Sequence, residues 1–308
     1  MKDKTNSKRE RKEIKGTTLA ILTAMISGLA IPINKIFVVS MDPLIFTALR
    51  SLLIGIFFFI LLSFKWNFSF KEFRKIKWKY LFAIAFIGGS LAFLFFFTGL
   101  KLTTSGRASF LHKTLPLYVL LLASVFLKEK ITKKQLFSIF LMFFGTILIY
   151  EAEITPSELW INPKLGDFLV VFATFLWAVE NTIAKKAMIK GENNFVVSFA
   201  RMFFGGLIIF SLILILGKTD LLFSIKSEQL LNIFISTFIL TLYVTFWYWS
   251  ISYINVSKAS SLLLLSPVIS LIFGYVLFKE PIPLIQIIGS AFILLGAYFV
   301  SKIRSEFA

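Results

Sequence analysis

The chain has 308 residues, of which 57% are hydrophobic and only 16% are charged. Soluble domains average about 45–50% apolar residues and about 25% charged ones, so the composition excludes a soluble fold and indicates an integral membrane protein. The formal net charge of +17 does not indicate a nucleic-acid partner. The basic residues fall in short runs between apolar segments, as they do in membrane proteins.

Apolar segments long enough to cross a bilayer, which takes about 20 residues each, follow one another along the chain. Ten are predicted, at residues 17–39, 43–64, 79–100, 103–127, 132–150, 166–188, 194–217, 230–253, 256–278 and 283–302. Short connections join them, and the longest lies at about 151–165. The sequence therefore predicts an all-α integral membrane protein with ten transmembrane helices.

Basic residues are divided unequally between the two sides of the predicted membrane. They crowd the tail at residues 1–15 and the connections between spans 2–3, 4–5 and 6–7. The opposite side carries only Lys35, Lys101, Lys164, Lys218, Lys226 and Lys279. Because cytoplasmic loops are enriched in Lys and Arg, we expect a plasma-membrane protein with both termini in the cytoplasm. The first apolar run is too long for a cleavable signal peptide.

The two halves of the chain match at a constant offset of 151 residues. The matched positions include residues that composition alone would not align, namely Arg50 with Arg201, Ala108-Ser109 with Ala259-Ser260, Pro116 with Pro267, Lys128-Glu129 with Lys279-Glu280, and Gly145 with Gly296. One register without gaps carries all of these pairs. We interpret the chain as a duplication of one five-helix unit.

The duplication predicts the domain organisation. A basic cytoplasmic tail (1–15) precedes the first repeat (16–150), an external linker (151–165) leads to the second repeat (166–302), and a short cytoplasmic tail (303–308) follows. Because each repeat has an odd number of spans, the second copy enters the membrane from the opposite side. Inverted repeats of this kind are the recurring architecture of secondary transporters, with the substrate site between the two copies.

The sequence resembles the drug/metabolite transporter (DMT) superfamily, EamA type, over about residues 16–302. The resemblance depends on the ten spans, the five-plus-five duplication, Gly145 and Gly296, and two helix ends, "PLYVLLLASVFLKEKI" and "PVISLIFGYVLFKEPI". It implies transport of small metabolites, often the efflux of amino acids or related compounds. It also implies a central cavity lined by helices 1, 3, 4, 6, 8 and 9.

Polar residues present in both halves are expected to be architectural. The Lys-Glu pairs at 128–129 and 279–280 end helices 4 and 9 at opposite faces and are interpreted as turn residues. Arg50 and Arg201 each lie seven residues into a helix, about 10 Å from one membrane face. Two interpretations are open for these arginines: they extend to the nearest interface, or they are gate residues that engage in alternate access states.

Polar residues at membrane depth in only one half need another explanation. His112, Lys113, Glu180 and Asn181 have apolar counterparts in the other copy. A charge at the helix centre costs about 2.5–3.5 kcal/mol on insertion scales. Lys113 and Glu180 are therefore expected to face a cavity or to pair with each other. In a cavity they would bind the two ends of a zwitterion. His112 and Lys113 point about 100° apart on a helix, so they cannot both face the cavity centre.

The candidate site extends to two further helices. Helical spacing favours Ser27 and Asn34 on helix 1, and the polar ends of Tyr243 and Trp247 on helix 8 need partners away from lipid. The predicted substrate-binding residues are Ser27, Asn34, Lys113, Trp177, Glu180, Asn181, Tyr243 and Trp247. His112 and Glu180 are the candidates for carrying a coupling proton, since histidine titrates near neutral pH and a desolvated carboxylate can hold a proton. The chain contains no cysteine, and we expect no metal and no cofactor.

The sequence therefore predicts a secondary active transporter, an exporter of a small polar metabolite such as an amino acid, that works by alternating access around a midplane cavity. Its expected partners are membrane lipids, the small-molecule substrate and a coupling proton. A lipid or lipid-carrier translocase is the alternative. An intramembrane enzyme is less favoured, because the chain has no HExxH, paired-Asp or GxSxG signature.

Overall fold

The computed structural model describes residues 2–65, 76–151, 159 and 161–305. In these ranges every regular element is a helix, and no strand is present. Three basic residues of the predicted 2–3 connection, Lys71, Arg74 and Lys75, lie outside the described residues. So do most of the predicted linker at 151–165 and the last three residues of the C-terminal tail.

Ten of the described helices are long and apolar enough to cross a membrane. We number them α1 (Ser7–Val39), α2 (Pro43–Phe64), α3 (Trp78–Leu102), α4 (Ser105–Leu127), α5 (Lys133–Glu151), α6 (Leu165–Ile189), α7 (Asn194–Ile215), α8 (Ser227–Tyr253), α9 (Val256–Val276) and α10 (Leu284–Ser301). The prediction of an all-α membrane protein with ten spans is confirmed.

Several of the ten helices contain irregular turns. Wider π-helical turns occur at Ala85–Leu91 in α3, Ala123–Leu127 in α4 and Ala200–Phe204 in α7. Helix α4 is also broken by a turn at residues 113–114, as Pro116 predicts, because proline has no N–H to donate to the preceding turn. Such irregular turns are common at functional sites, and backbone of this kind is tolerated at membrane depth where it is buried in protein.

Contacts between helix ends define two faces of the bundle. At the terminal face, Lys258 at the start of α9 donates to Glu13 of α1 (Nζ–Oε1, 2.6 Å) and to the carbonyl oxygen of Ile303 after α10 (2.7 Å). At the distal face, Lys35 near the end of α1 donates to the carbonyl oxygens of Leu100 (2.7 Å) and Thr103 (2.6 Å). The chain thus begins and ends at one face.

The distal contact of Lys35 has a counterpart in the second half of the chain. Lys185 of α6 donates to the carbonyl oxygens of Ile251 (2.7 Å) and Ile254 (2.9 Å). These two acceptors lie 151 residues after Leu100 and Thr103. The donors themselves are 150 residues apart, one less than the repeat offset, so similar but not equivalent lysines join α1 to α3 in one half and α6 to α8 in the other.

Glycines let repeat-related helices of the two halves pack closely. A Cβ atom on Gly145 of α5 would meet the carbonyl oxygen of Gly289 in α10, and one on Gly289 would meet that of Gly145 at 2.6 Å. A Cβ on Gly55 of α2 would meet the backbone of Phe203 in α7. Small residues at helix contacts are the usual means of close packing inside a membrane.

We expect Gly145→Leu to separate α5 from α10 and to destabilise the protein by about 1–3 kcal/mol, as overpacking of a tight contact does. The measurement is chemical denaturation of the purified protein in mixed micelles, followed by tryptophan fluorescence. Phe140→Val, at a side chain on α5 that is 68% exposed, is the control and should change stability little. Equal stability of the Gly145 variant and the wild type would contradict the close contact.

Candidate functional site

A cavity lies within the helix bundle. Its lining comes from α1, α2, α3, α4, α6, α7 and α8 and includes Ser27, Asn34, Arg50, Phe93, Phe96, His112, Trp177, Asn181, Arg201, Tyr243 and Trp247. The lining residues of α1, α3 and α4 fall in the halves of those helices nearest the distal face. The cavity therefore extends from the middle of the bundle toward the distal side.

One polar group at the cavity is centred on Arg50 of α2. Its Nη1 donates to the Ser236 hydroxyl (3.0 Å), which in turn donates to Asn34 Oδ1 (2.5 Å). The guanidinium carbon lies 4.3–5.4 Å from the centres of three phenylalanine rings, two of them Phe93 and Phe97. The side chain is only 1% exposed, so this charge is held inside the protein.

A second polar group is centred on Glu180 of α6. Tyr248 donates its hydroxyl hydrogen to Oε1 of Glu180 (2.5 Å), and the Arg201 guanidinium lies 3.5 Å from Oε2. Nη1 of Arg201 also donates to the Tyr248 hydroxyl (3.1 Å). Gly88 of α3 packs directly on the Glu180 side chain, where a Cβ would not fit. Three helices thus meet around one buried carboxylate.

The two arginines do not reach toward opposite membrane faces, and that expectation is wrong. Both guanidinium carbons lie over the ring of Phe93, Arg50 at 5.4 Å and Arg201 at 5.1 Å. The physical reason is that the interior supplies an aromatic ring to both arginines and a carboxylate to one of them, which the interface would not. The gate role of these two arginines stays a prediction.

The side chains of His112 and Lys113 lie on different sides of α4. His112 lines the cavity, with its Nδ1 3.4 Å from the Thr174 hydroxyl and its ring 5.3 Å from that of Trp177. Lys113 is buried but is not among the lining residues. Since neighbouring helical residues diverge by about 100°, a histidine that faces the cavity turns the lysine away from it.

The ion pair expected between Lys113 and Glu180 is replaced by the pair of Arg201 with Glu180. Within the described ranges, no carboxylate lies within 4.0 Å of the Lys113 ammonium. The structure therefore leaves the two ends of the expected zwitterion site apart, and the positive charge at the cavity comes from arginines.

The remaining predicted residues lie together at the cavity. Trp177 donates from Nε1 to the carbonyl oxygen of Gly88 (3.2 Å), and Trp247 donates from Nε1 to Asn181 Oδ1 (2.7 Å). Ser27, Asn34 and Tyr243 also line the cavity. The polar end of each indole has a partner, as buried tryptophan requires, while the rings form the wall.

Sequence reasoning missed Ser236, which anchors Arg50. A signal was present, because residues 236, 240, 243 and 247 follow one another at four- and three-residue spacing and so share one face of α8. Three of these positions line the cavity. The Tyr248 hydroxyl was not among the predicted site residues either, and it is a full member of the Glu180 group.

We expect Arg201→Met to cost about 3–5 kcal/mol of stability, because it leaves the buried Glu180 carboxylate without its cation. The double variant Arg201→Met, Glu180→Met should recover most of that loss, since replacing both partners of a buried pair by apolar residues is often near neutral. Chemical denaturation in micelles measures both. A double variant that is as unstable as the sum of the single variants would contradict the pairing.

Known proteins resemble this chain over nearly its full length. A model of the EamA-like transporter family matches residues 14–151 and again residues 164–302. An uncharacterized transporter of Archaeoglobus fulgidus is 30% identical over 291 residues, covering 92% of this chain and 97% of the relative. A probable amino-acid metabolite efflux pump of Salmonella typhimurium is 26% identical over 297 residues, covering 91% of this chain and 92% of the relative.

A crystal structure of another protein has the same fold. It matches with a TM-score of 0.70 at 17% identity, over 94% of this chain and 97% of that one, which supports the fold alone. The family match is the stronger finding, because it covers most of each half of the chain separately. The chain belongs to the EamA-like transporter family and is a multi-pass membrane transporter of the drug/metabolite transporter type.

Proposed function

We propose that this transporter is a secondary active exporter of a small polar metabolite such as an amino acid. The observation that carries the proposal is the cavity, which combines buried polar groups around Arg50 and Asn181 with an aromatic wall that includes Trp177. A small molecule with a charged end and an apolar body matches such a lining. The Salmonella relative is named a probable amino-acid metabolite efflux pump, and this supports the proposal.

We further propose that the two copies, residues 16–150 and 166–302, are inverted in the plasma membrane with the terminal face in the cytoplasm. The odd number of spans in each copy and the excess of Lys and Arg on the terminal side support this arrangement. Leu100 and Ile251, which lie 151 residues apart, accept from lysines at opposite ends of the bundle, and this supports it as well.

Alternating access is supported by a difference between repeat-related glutamates. Glu129, at the end of α4, accepts hydrogen bonds from the backbone N–H groups of Val256 (3.0 Å) and Ser257 (3.1 Å) and from the Ser257 hydroxyl (2.5 Å). These groups form the start of α9, where a helix favours a negative charge. We call this contact the terminal latch, because it joins the two copies at the terminal face.

Glu280, the counterpart of Glu129, makes no such contact and is exposed. The backbone turn before each glutamate is the same, since Lys128 and Lys279 both have a φ of 57°. The matching donor position is the start of α4 at Ser105, which could form an equivalent distal latch with Glu280. We infer that this conformation is closed at the terminal face, and that the two latches exchange when access switches.

His112 and Glu180 stay the candidates for a coupling proton. Glu180 is fully buried and already holds a tyrosine hydroxyl and an arginine, so it would have to leave both partners to exchange a proton with substrate or water. His112 lines the cavity directly and has one weak hydrogen-bond partner. The histidine is the more accessible of the two candidates.

The proposed transport is tested in proteoliposomes with radiolabelled amino acids, measuring uptake and counterflow with and without an imposed proton gradient. We expect counterflow of at least one amino acid above protein-free liposomes, and a rate that depends on the gradient. Movement of fluorescent lipid instead would favour the lipid-translocase alternative, and chemical conversion of the solute would favour an enzyme. Absence of amino-acid counterflow would overturn the amino-acid proposal.

The proposed latch is tested by cysteine labelling, which needs no background removal because the chain has no cysteine. Glu129→Gln is introduced together with Ser260→Cys, at a buried position one turn beyond the latch in α9. Since hydrogen bonds to a charged group contribute about 1.5–3 kcal/mol, we expect roughly tenfold or faster labelling by an impermeant maleimide from the terminal side.

Glu280→Gln is the matched control for the latch, because that residue is exposed at the opposite face and should leave labelling of Ser260→Cys from the terminal side unchanged. Equal labelling of the Glu129 and Glu280 variants would contradict the proposed latch and leave Glu129 as a helix cap.

A further inference from the structure

Arg50 is the one arginine at the cavity whose charge is not matched by a nearby carboxylate within the described part of the chain. Its side chain is 1% exposed and lines the cavity. Nη1 is bonded to Ser236, but Nε and Nη2 have no hydrogen-bond partner in that part. Buried guanidinium groups are normally paired and hydrogen-bonded, so two unsatisfied donors beside a cavity need an explanation.

The repeat supplies a direct comparison. Arg201 occupies the equivalent position in the second copy, and it is matched by Glu180 at 3.5 Å. The first copy has Leu29 where the second has Glu180. The ring contacts of Arg50 with Phe93 and Phe97 stabilise the cation. They offset only part of the hydration free energy that a buried guanidinium loses. The carboxylate that pairs with Arg201 in the second copy thus has no counterpart beside Arg50 in the first copy.

The free edge of Arg50 is already oriented. Because the Ser236 hydroxyl donates its hydrogen to Asn34 Oδ1, its oxygen can only accept from Arg50, which fixes Nη1. Nε and Nη2 then form the side of the guanidinium that grips a carboxylate with two parallel bonds. Arg107 of this chain binds Asp167 with that same pair of nitrogens, Nε to Oδ1 (3.2 Å) and Nη2 to Oδ2, so the chain contains an example of the geometry.

We propose that the Nε and Nη2 edge of Arg50 binds a single carboxylate group of the substrate. The body of the substrate then lies against the apolar wall of the cavity, which includes Phe96, Trp177 and Leu240. A phosphate group would call for a second uncommitted cation, and Arg201 is occupied by Glu180. The ligand class is a monocarboxylate with an apolar or aromatic body, which includes apolar amino acids.

This inference rests on the proposed function in one respect, that the cavity is the substrate site. The experiment is isothermal titration of the purified protein in detergent with phenylacetate and with phenylacetamide, which have the same shape and differ in the carboxylate. We expect the wild type to bind phenylacetate at least tenfold more tightly than phenylacetamide. Absence of binding, or equal affinity for the two, would overturn the inference.

Variants at Arg50 make the assignment specific. Arg50→Met should remove the preference for phenylacetate and leave the affinity for phenylacetamide within about twofold of wild type. Arg50→Lys keeps the charge without the two-bond edge and should retain part of the preference, because lysine is not equivalent to arginine at such sites. An Arg50→Met protein that keeps the full tenfold preference would place the carboxylate elsewhere.

A stability measurement separates a binding role from a structural one. Arg50→Met removes a charge without an anionic partner, so its melting temperature should equal or exceed that of wild type. Arg201→Met, at the equivalent position, should melt at a lower temperature. A lowered melting temperature for Arg50→Met that matches the Arg201 variant would assign Arg50 to the scaffold and overturn the inference.

The amino-acid flux assay distinguishes the two proposals. An Arg50-dependent preference for phenylacetate without amino-acid counterflow would support the carboxylate site and reject the amino-acid substrate. Amino-acid counterflow that Arg50→Met leaves at the wild-type rate would support the transport proposal and reject the carboxylate site.

Discussion

Charge buried at membrane depth is the constraint on which the centre of this structure depends. A charged side chain there is tolerated when it faces a cavity or has a partner. The second copy meets this condition within the chain, because Arg201 forms an ion pair with Glu180 and both are hydrogen-bonded to the Tyr248 hydroxyl. The first copy has the arginine and lacks the carboxylate. This one glutamate therefore distinguishes the two copies. The arginine of the second copy has a carboxylate partner, and the arginine of the first copy lies at the cavity without one.

Close helix packing makes that arrangement possible. Gly88 and Gly89 of α3 bring the helix onto Glu180 and onto the backbone at Arg201, and the π-helical turns at Ala85–Leu91 and Ala200–Phe204 contain these contact positions. Phe93 lies two residues after the first of these turns and contacts both guanidinium groups. Small residues, irregular turns and one aromatic ring together hold two like charges near each other in the bundle.

The large-scale fold was predictable from the sequence because long apolar segments and an internal repeat are signals that do not depend on tertiary contacts. The ten spans and the all-α class needed only segment length and hydropathy. Much of the cavity wall was also predictable, since Ser27, Asn34, Trp177, Asn181, Tyr243 and Trp247 follow helical spacing. These predictions depend on periodicity, which a single helix carries by itself.

The charges at the site were harder to predict, because a charge is positioned by partners on other helices. Lys113 was favoured for its depth, but its neighbour His112 takes the cavity side of α4. From its distance along α2, Arg50 was interpreted either as extending to the interface or as a gate residue, and the contacts with Ser236 on α8 and Phe93 on α3 that hold it inside were not predicted. No spacing rule within one helix identifies such partners.

The lysine joints have a mechanical consequence for the bundle. Lys35 joins α1 to α3 at their distal ends, and Lys185 joins α6 to α8 at the opposite ends. The two contacts therefore act at opposite faces of the bundle. Neither hydrogen-bonded contact by itself restrains the far ends of the two helices that it links.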